Sequence, residues 1–172
     1  SACLHGEIPK LIKDKQLEKA EASARFYADL FGEDRFYLEI QNNGIDIQDT
    51  VNQVLLDMGQ RLSIPMVATN DCHYLDKDDV RAHDVLLCIQ TGKTVNDSDR
   101  FKFQTDQLYF KSPQEMLRDF ADQAEALANT RRIADRCHIE FDFKTYHFPR
   151  FKTEGDAPVE DVFEEKARAG FV

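Results

Sequence analysis

Asp71 and His73 lie two residues apart where the apolar run Met66-Val67-Ala68-Thr69 ends, and a carboxylate beside an imidazole is a donor pair for a divalent cation. A buried parallel strand would give such a pair a rigid base, because side chains just past its carboxyl end point into the mouth of a barrel-type site. The spacing alone is common, and a turn Asp beside a solvated His is its plain alternative. Glu39, at the end of a second apolar run, and His83, next to Asp84 in a helical stretch, are the other groups whose chemistry could bear on a site here. Glu39 would act as a base or support the ligands from behind, with half-buried structural pairing as the equal alternative. His83 would order the edge of the site through a ring-nitrogen hydrogen bond, or simply pack. His5 reads as a solvated loop residue, and His138 and His147 receive no role.

The elements that must position these groups follow from periodicity. Leu17, Ala20, Ala24, Tyr27 and Phe31 recur at helical steps until Gly32 stops the helix. Phe36 to Ile40 is aromatic and β-branched, predicting a strand that Asn42-Asn43-Gly44 breaks. Val51, Leu55, Met58 and Leu62 trace a second helix before the strand Met66 to Thr69. This is a βαβ unit, whose crossover sets the strands parallel and sends both carboxyl ends to the face bearing Asp71 and His73.

Further along, Asp78 or Asp79 predicts the cap of a helix that runs to Thr91-Gly92, and residues 93 to 108 read as an irregular loop. Ser112-Pro113-Gln114-Glu115 is a capping box with proline at the first helical position. Gln123 to Cys137 continues as a helix, and Ile139 to Phe143 alternates as a strand does. Tyr146 to Pro158 has the composition of a linker, after which Val159, Phe163 and Ala167 begin a last helix. A domain boundary is expected near residue 145.

The formal charge of −10 over 172 residues opposes a phosphate-gripping surface on this segment alone. The small basic groups at Lys10, Lys13 and Lys15, at Arg100 and Lys102, and at Arg131 and Arg132 read as solvated faces. Cys3, Cys72, Cys88 and Cys137 form no CxxC pair, which argues against a disulfide framework and a zinc ribbon and fits a reducing compartment. Cys88 and Cys137 read as small core residues. No apolar run is long enough to span a bilayer and the amino terminus is not signal-like, so a soluble, cytoplasmic protein without a membrane partner is expected.

Several words of the chain, in order, carry a specific likeness. They are Ser1-Ala2-Cys3-Leu4-His5-Gly6-Glu7-Ile8, Phe36-Tyr37-Leu38-Glu39-Ile40-Gln41, Ala68-Thr69-Asn70-Asp71, the stretch from Ala82 to Thr94, Lys111-Ser112-Pro113-Gln114-Glu115-Met116 and Glu125-Ala126-Leu127-Ala128-Asn129-Thr130. Together they resemble the second half of the PHP (polymerase and histidinol phosphatase) domain of the bacterial replicative, C-family DNA polymerase alpha subunit. The resemblance implies an α/β fold: a partial distorted (β/α) PHP-type barrel over residues 1 to 145, then a linker and the first helix toward the polymerase palm over residues 146 to 172. The family's opening histidine motifs are absent and the first residue is Ser, so the chain is expected to be a fragment.

By the same resemblance, Asp71 and His73 match the family's final Asp-x-His ligand pair, and Cys3 matches the preceding ligand. The metals implied are zinc, manganese or magnesium, a thiolate at Cys3 favouring zinc, with magnesium serving the parent polymerase. Relatives often have Asp-His where this chain has Asn42-Asn43, a departure that weakens the case for hydrolysis. For the parent chain the resemblance implies DNA-templated DNA synthesis, with the rest of the alpha chain, a proofreading exonuclease subunit and a sliding clamp as partners, and DNA contacted mainly through other domains. The PHP region would be a metal-dependent 3′–5′ exonuclease, or else a scaffold that braces the polymerase and binds the exonuclease subunit. A histidinol-phosphatase-like phosphoesterase is the lowest alternative. The isolated fragment is expected to be inactive.

Overall fold

Leu38 and Ile40 on one strand and Ala68 on the next are 2% exposed or less, and they form the floor of the hydrophobic core. The strands are β1 (Leu38–Gln41) and β2 (Met66–Thr69) of a computed structural model that describes residues 3–149 and 151–171. They pair in parallel, from Leu38 opposite Met66 to Gln41 opposite Thr69. Alternation divides the pair into two faces. Leu38, Ile40, Met66 and Ala68 pack into the core cluster with helical residues, while Glu39, Gln41 and Thr69 hydrogen-bond to one another.

Three helices precede or cross between the strands: α1 (Glu7–Lys13), α2 (Leu17–Phe31) and α3 (Asp46–Leu62). The α3 stripe is the one the periodicity predicts, and Val51, Leu55 and Met58 are buried to 1% exposure or less. Full burial of one such side chain contributes about 2–3 kcal/mol, so this stripe anchors the unit. Where α3 ends, Ser63 adopts a left-handed conformation and the Ile64 amide donates to the Gly59 carbonyl. A Cβ at Gly59 would fall 2.5 Å from Met66 Sδ and 3.2 Å from the Ile64 carbonyl, so any larger residue there would have to displace the Met66 side chain and press on the Ile64 backbone.

After β2, a 3₁₀ turn at Lys77–Asp79 leads into α4 (Val80–Thr91), closed by Gly92 in the left-handed region. Asp79 holds the N-cap position of α4, as expected, but its side chain makes no cap bond to that helix: its carboxylate instead accepts the amide of Asp76 at 3.1 Å, within the 3₁₀ turn. The box at α5 (Pro113–Asp119) forms as its sequence demands, Ser112 Oγ accepting the Glu115 amide and the Glu115 carboxylate accepting the Ser112 amide. Helix α6 (Ala124–Asp135) lies on β2, where Asn129, 4% exposed, donates from Nδ2 to the Met66 carbonyl at 2.7 Å.

The described chain divides into two compact units, the first running through Cys137 and the second starting at His138. The second contains a 3₁₀ turn at Glu154–Asp156 and helix α7 (Val159–Ala169), which has no buried residue. Two expectations fail here. Ile139 to Phe143 forms no strand: no ladder partner receives it, and Asp142 Oδ1 instead accepts the amides of Lys144 and Thr145 in a local turn. Cys137 is exposed because α6 ends two residues before it, whereas Cys88 is buried as expected. The mixed α/β class holds.

Candidate functional site

Asn70 follows β2 directly, and its side chain fixes the chain beyond the strand. Nδ2 donates to the carbonyls of Gln107 and Tyr109, at 3.0 and 2.6 Å, which straps residues 107 to 110 alongside residues 70 to 75. The His73 amide donates to the Leu108 carbonyl at 2.7 Å, the Phe110 amide donates to the Tyr74 carbonyl at 3.1 Å, and Tyr74 pairs with Tyr109 in an isolated parallel bridge. Asp71 sits at φ +36°, a backbone region that side-chain-bearing residues seldom occupy, held there by the surrounding strap.

Asp71 and His73 are in contact, with His73 Nε2 3.6 Å from Asp71 Oδ1 and the side chains of His73 and Asp71 29% and 32% exposed. Cys3 is half-buried at the turn before α1, where the Gly6 amide donates to its carbonyl. Among the described residues no three His, Cys, Asp or Glu side chains form a group able to hold a metal, so Cys3 is not gathered with the other two. The pair thus offers one oxygen and one nitrogen, donor types that suit a divalent cation, and two donors are fewer than a closed shell takes.

Glu39 lies within β1, where its Oε1 accepts the Thr69 hydroxyl at 2.5 Å and the Gln41 Nε2 at 3.4 Å. His83 lies one turn into α4 and packs on His73, Tyr74 and Phe103 with ring centroids 5.3, 5.3 and 5.7 Å apart. Burial in this cluster holds the His83 pKa below the usual imidazole value, with the nearby His73 adding to the effect. His5 is exposed, as expected.

Two residues of this region escaped the sequence analysis. Arg100, expected on a solvated face, has a side chain only 9% exposed and makes a bidentate pair with Asp84, at 2.6 and 2.8 Å. That pair holds the Asp84 carboxyl below its ordinary pKa. Phe103 reaches back from the irregular loop to the ring of His73, with centroids 5.0 Å apart. The only signal was the proximity of aromatic and charged residues at 100 to 103 to a His-Asp dipeptide 16 residues earlier, which no periodicity marks.

At the loop after β1, Lys111 is buried and its Nζ donates to the Asn42 carbonyl at 2.8 Å and to the Asp119 carboxylate, while Asn42 Nδ2 donates to the Asp119 carbonyl. Asn42 therefore serves as a structural tie. Asn43 is 2% exposed, and its carbonyl accepts the Thr105 hydroxyl at 2.6 Å.

With this geometry, similarity to known proteins gives first a class and then a particular relative. A family model described as the PHP domain matches residues 1–43. Most of the chain is similar to part of DNA polymerase III subunit alpha. It is 42% identical over 139 residues to that protein from Treponema pallidum (strain Nichols), covering 81% of this chain and 12% of the relative. It is 43% identical over 158 residues to the Thermus aquaticus protein, covering 88% and 13%. Against the Haemophilus influenzae protein identity is 34% over 165 residues, covering 96% and 14%. The likeness read from the sequence thus holds, and the chain spans 12 to 14% of the length of these curated relatives.

Proposed function

We propose that this chain is a segment of the catalytic alpha subunit of a bacterial replicative DNA polymerase, an enzyme of DNA-templated DNA synthesis in the cytoplasm. The observation that carries the proposal is 34% to 43% identity to DNA polymerase III subunit alpha over most of the chain. Residues 1 to 145 are the C-terminal part of a PHP domain and residues 146 to 172 lead toward the polymerase core. The sheet supports a larger, distorted barrel. It has one polar face, and the buried amide oxygens of Gln41, Asn43 and Asn70 accept no hydrogen bond among the described residues, so donors are called for from outside them. Rest-of-chain contacts, a proofreading exonuclease subunit and a sliding clamp are its partners, and DNA is held mainly by other domains.

Within the PHP region, Asp71 and His73 would hold a divalent metal, zinc, manganese or magnesium, with residues outside this segment completing the set and Cys3 joining it only by moving toward the pair. A metal there would neutralise phosphoryl charge and activate water at neutral pH, the chemistry that 3′–5′ exonucleolytic phosphoester hydrolysis needs. The chain's own contribution is placement: the Asn70 fork and the His73 amide bond fix the backbone, and Asp71 sets a carboxylate against the imidazole. A scaffold role bracing the polymerase and binding the exonuclease subunit is the second reading, favoured by the structural use of Asn42 and the absence of a three-donor group among the described residues.

The test is the divalent metal content of the intact parent polymerase against an Asp71→Ala plus His73→Ala variant of equal stability. Zinc or manganese bound by the parent and lost from the variant is the expected result. Equal, negligible metal in both would overturn the metal site and leave the scaffold.

A further inference from the structure

His73 presents a physical problem that its backbone does not solve. Neither of its ring nitrogens makes a hydrogen bond among the described residues, and the 3.6 Å separation from Asp71 Oδ1 is too long for one. Ligating histidines are ordinarily oriented by a hydrogen bond to the other ring nitrogen. Here the imidazole is oriented by rings. His83 meets it nearly perpendicular, at an interplanar angle of 83° and 5.3 Å, and Phe103 does so at 73° and 5.0 Å. Those two rings are themselves stacked, 28° apart in plane, so they form one wall with two edges of contact.

The wall is held from behind by α4. Asp84 neighbours His83 in sequence, and its carboxylate takes both guanidinium nitrogens of Arg100, three residues before Phe103. A second pair, Lys93 with Asp99 at 2.8 Å, closes the start of the same loop, and Phe101 braces Phe103 edge-on at 5.0 Å. The turn of helix that carries His83 therefore also anchors the loop that carries Phe103. We propose that Phe103, seated by the Arg100–Asp84 pair and stacked on His83, is a positioning residue that sets the plane of the His73 imidazole. Its consequence for metal affinity rests on Asp71 and His73 being ligands; the orientation of the ring does not.

The experiment uses the full-length chain that carries this segment, with histidine labelled at Cε1 and the His73 signal assigned by its loss in a His73→Gln variant. In the parent, contacts between the His73 ring protons and those of Phe103 are expected, and Phe103→Ala should move the His73 signal by removing a ring current. Zinc affinity, measured with the metal alone by chelator competition, should fall at least about 10-fold in Phe103→Ala, recover in Phe103→Tyr, and hold in Phe101→Ala. Absent His73–Phe103 contacts in the parent, or a His73 signal and zinc affinity unmoved by Phe103→Ala, would overturn the positioning role. Zinc affinity unmoved by Asp71→Ala and His73→Ala would instead sink the metal reading, and the ring-proton contacts would still decide the orientation of His73.

Discussion

The unit that ends at Cys137 and the one that starts at His138 are similar in their proportion of apolar residues and make opposite use of them. In the first, the helical stripe Val51, Leu55 and Met58 is buried against β1, with Leu38 and Ile40 beneath it. In the second, Val159 and Phe163 repeat the helical spacing on α7 but are 46% and 73% exposed, and Phe141, Phe143, Tyr146 and Phe148 stand out from the chain at 75% exposure or more. Periodicity therefore forms the helix in both units, while burial requires a facing element of matching chemistry, which only the first unit contains among the described residues.

The largest test of this contrast is a pair of truncations. Leu55→Ala removes a fully buried side chain and should lower the stability of the first unit by about 3 kcal/mol, read from chemical denaturation. Phe163→Ala should change stability by no more than about 0.5 kcal/mol, although phenylalanine is the larger side chain. Equal losses at the two positions would break the comparison, since α7 would then be stabilised by packing after all.

A smaller effect isolates local from tertiary support. Ser112→Ala removes the cap of α5 and should cost about 1 kcal/mol. This helix has seven residues and cannot persist by propensity alone, so the loss should appear in the cooperative unfolding of the first unit, not as a separate transition. A separate early transition would mean that α5 frays independently of the core.

What the sequence made legible follows the same division. The stripe at 51, 55, 58 and 62 and the run 66 to 69 named their elements because every apolar residue on one face had a partner to meet. Phe36 to Ile40 slid to Leu38–Gln41 because ladder pairing with β2, not aromatic content, sets the strand ends. Ile139 to Phe143 has the alternation and lacks the neighbour, so no strand results. At the candidate site, Asp71 and His73 are visible as an Asp-x-His motif, whereas Arg100 and Phe103 are not, because a loop that returns from 16 or more residues away leaves no period in the sequence. Their roles come from tertiary closure on Asp84 and His83.

The finest distinction between the two units is one of protons. Glu115 and Asp142 both accept hydrogen bonds from nearby amides and a hydroxyl, and both have lowered pKa values. Glu115 also accepts the Tyr109 hydroxyl at 2.6 Å, and this bond is the main reason its pKa falls to about 2, with Ser112 second. Among the described residues, Asp142 is served only by Lys144 and Thr145, within its own turn. A carboxyl with a depressed folded-state pKa adds stability above its ordinary value of 4.5, and that stability is lost as the pH falls toward about 2. Since Tyr109 belongs to the strap beside Asn70 and His73, protonating Glu115 should loosen the first unit. Glu115→Gln should therefore be less stable than the parent at pH 6, with the gap narrowing below pH 4.5 and closing only near pH 2, where the folded parent loses its charge. Asp142→Asn should leave the unfolding midpoint of the first unit unchanged across that range, because its bonds end inside a turn the core does not share. A gap for Asp142→Asn as large as that for Glu115→Gln would show that the turn at 142 is coupled to the core, and the contrast between the two units would fail.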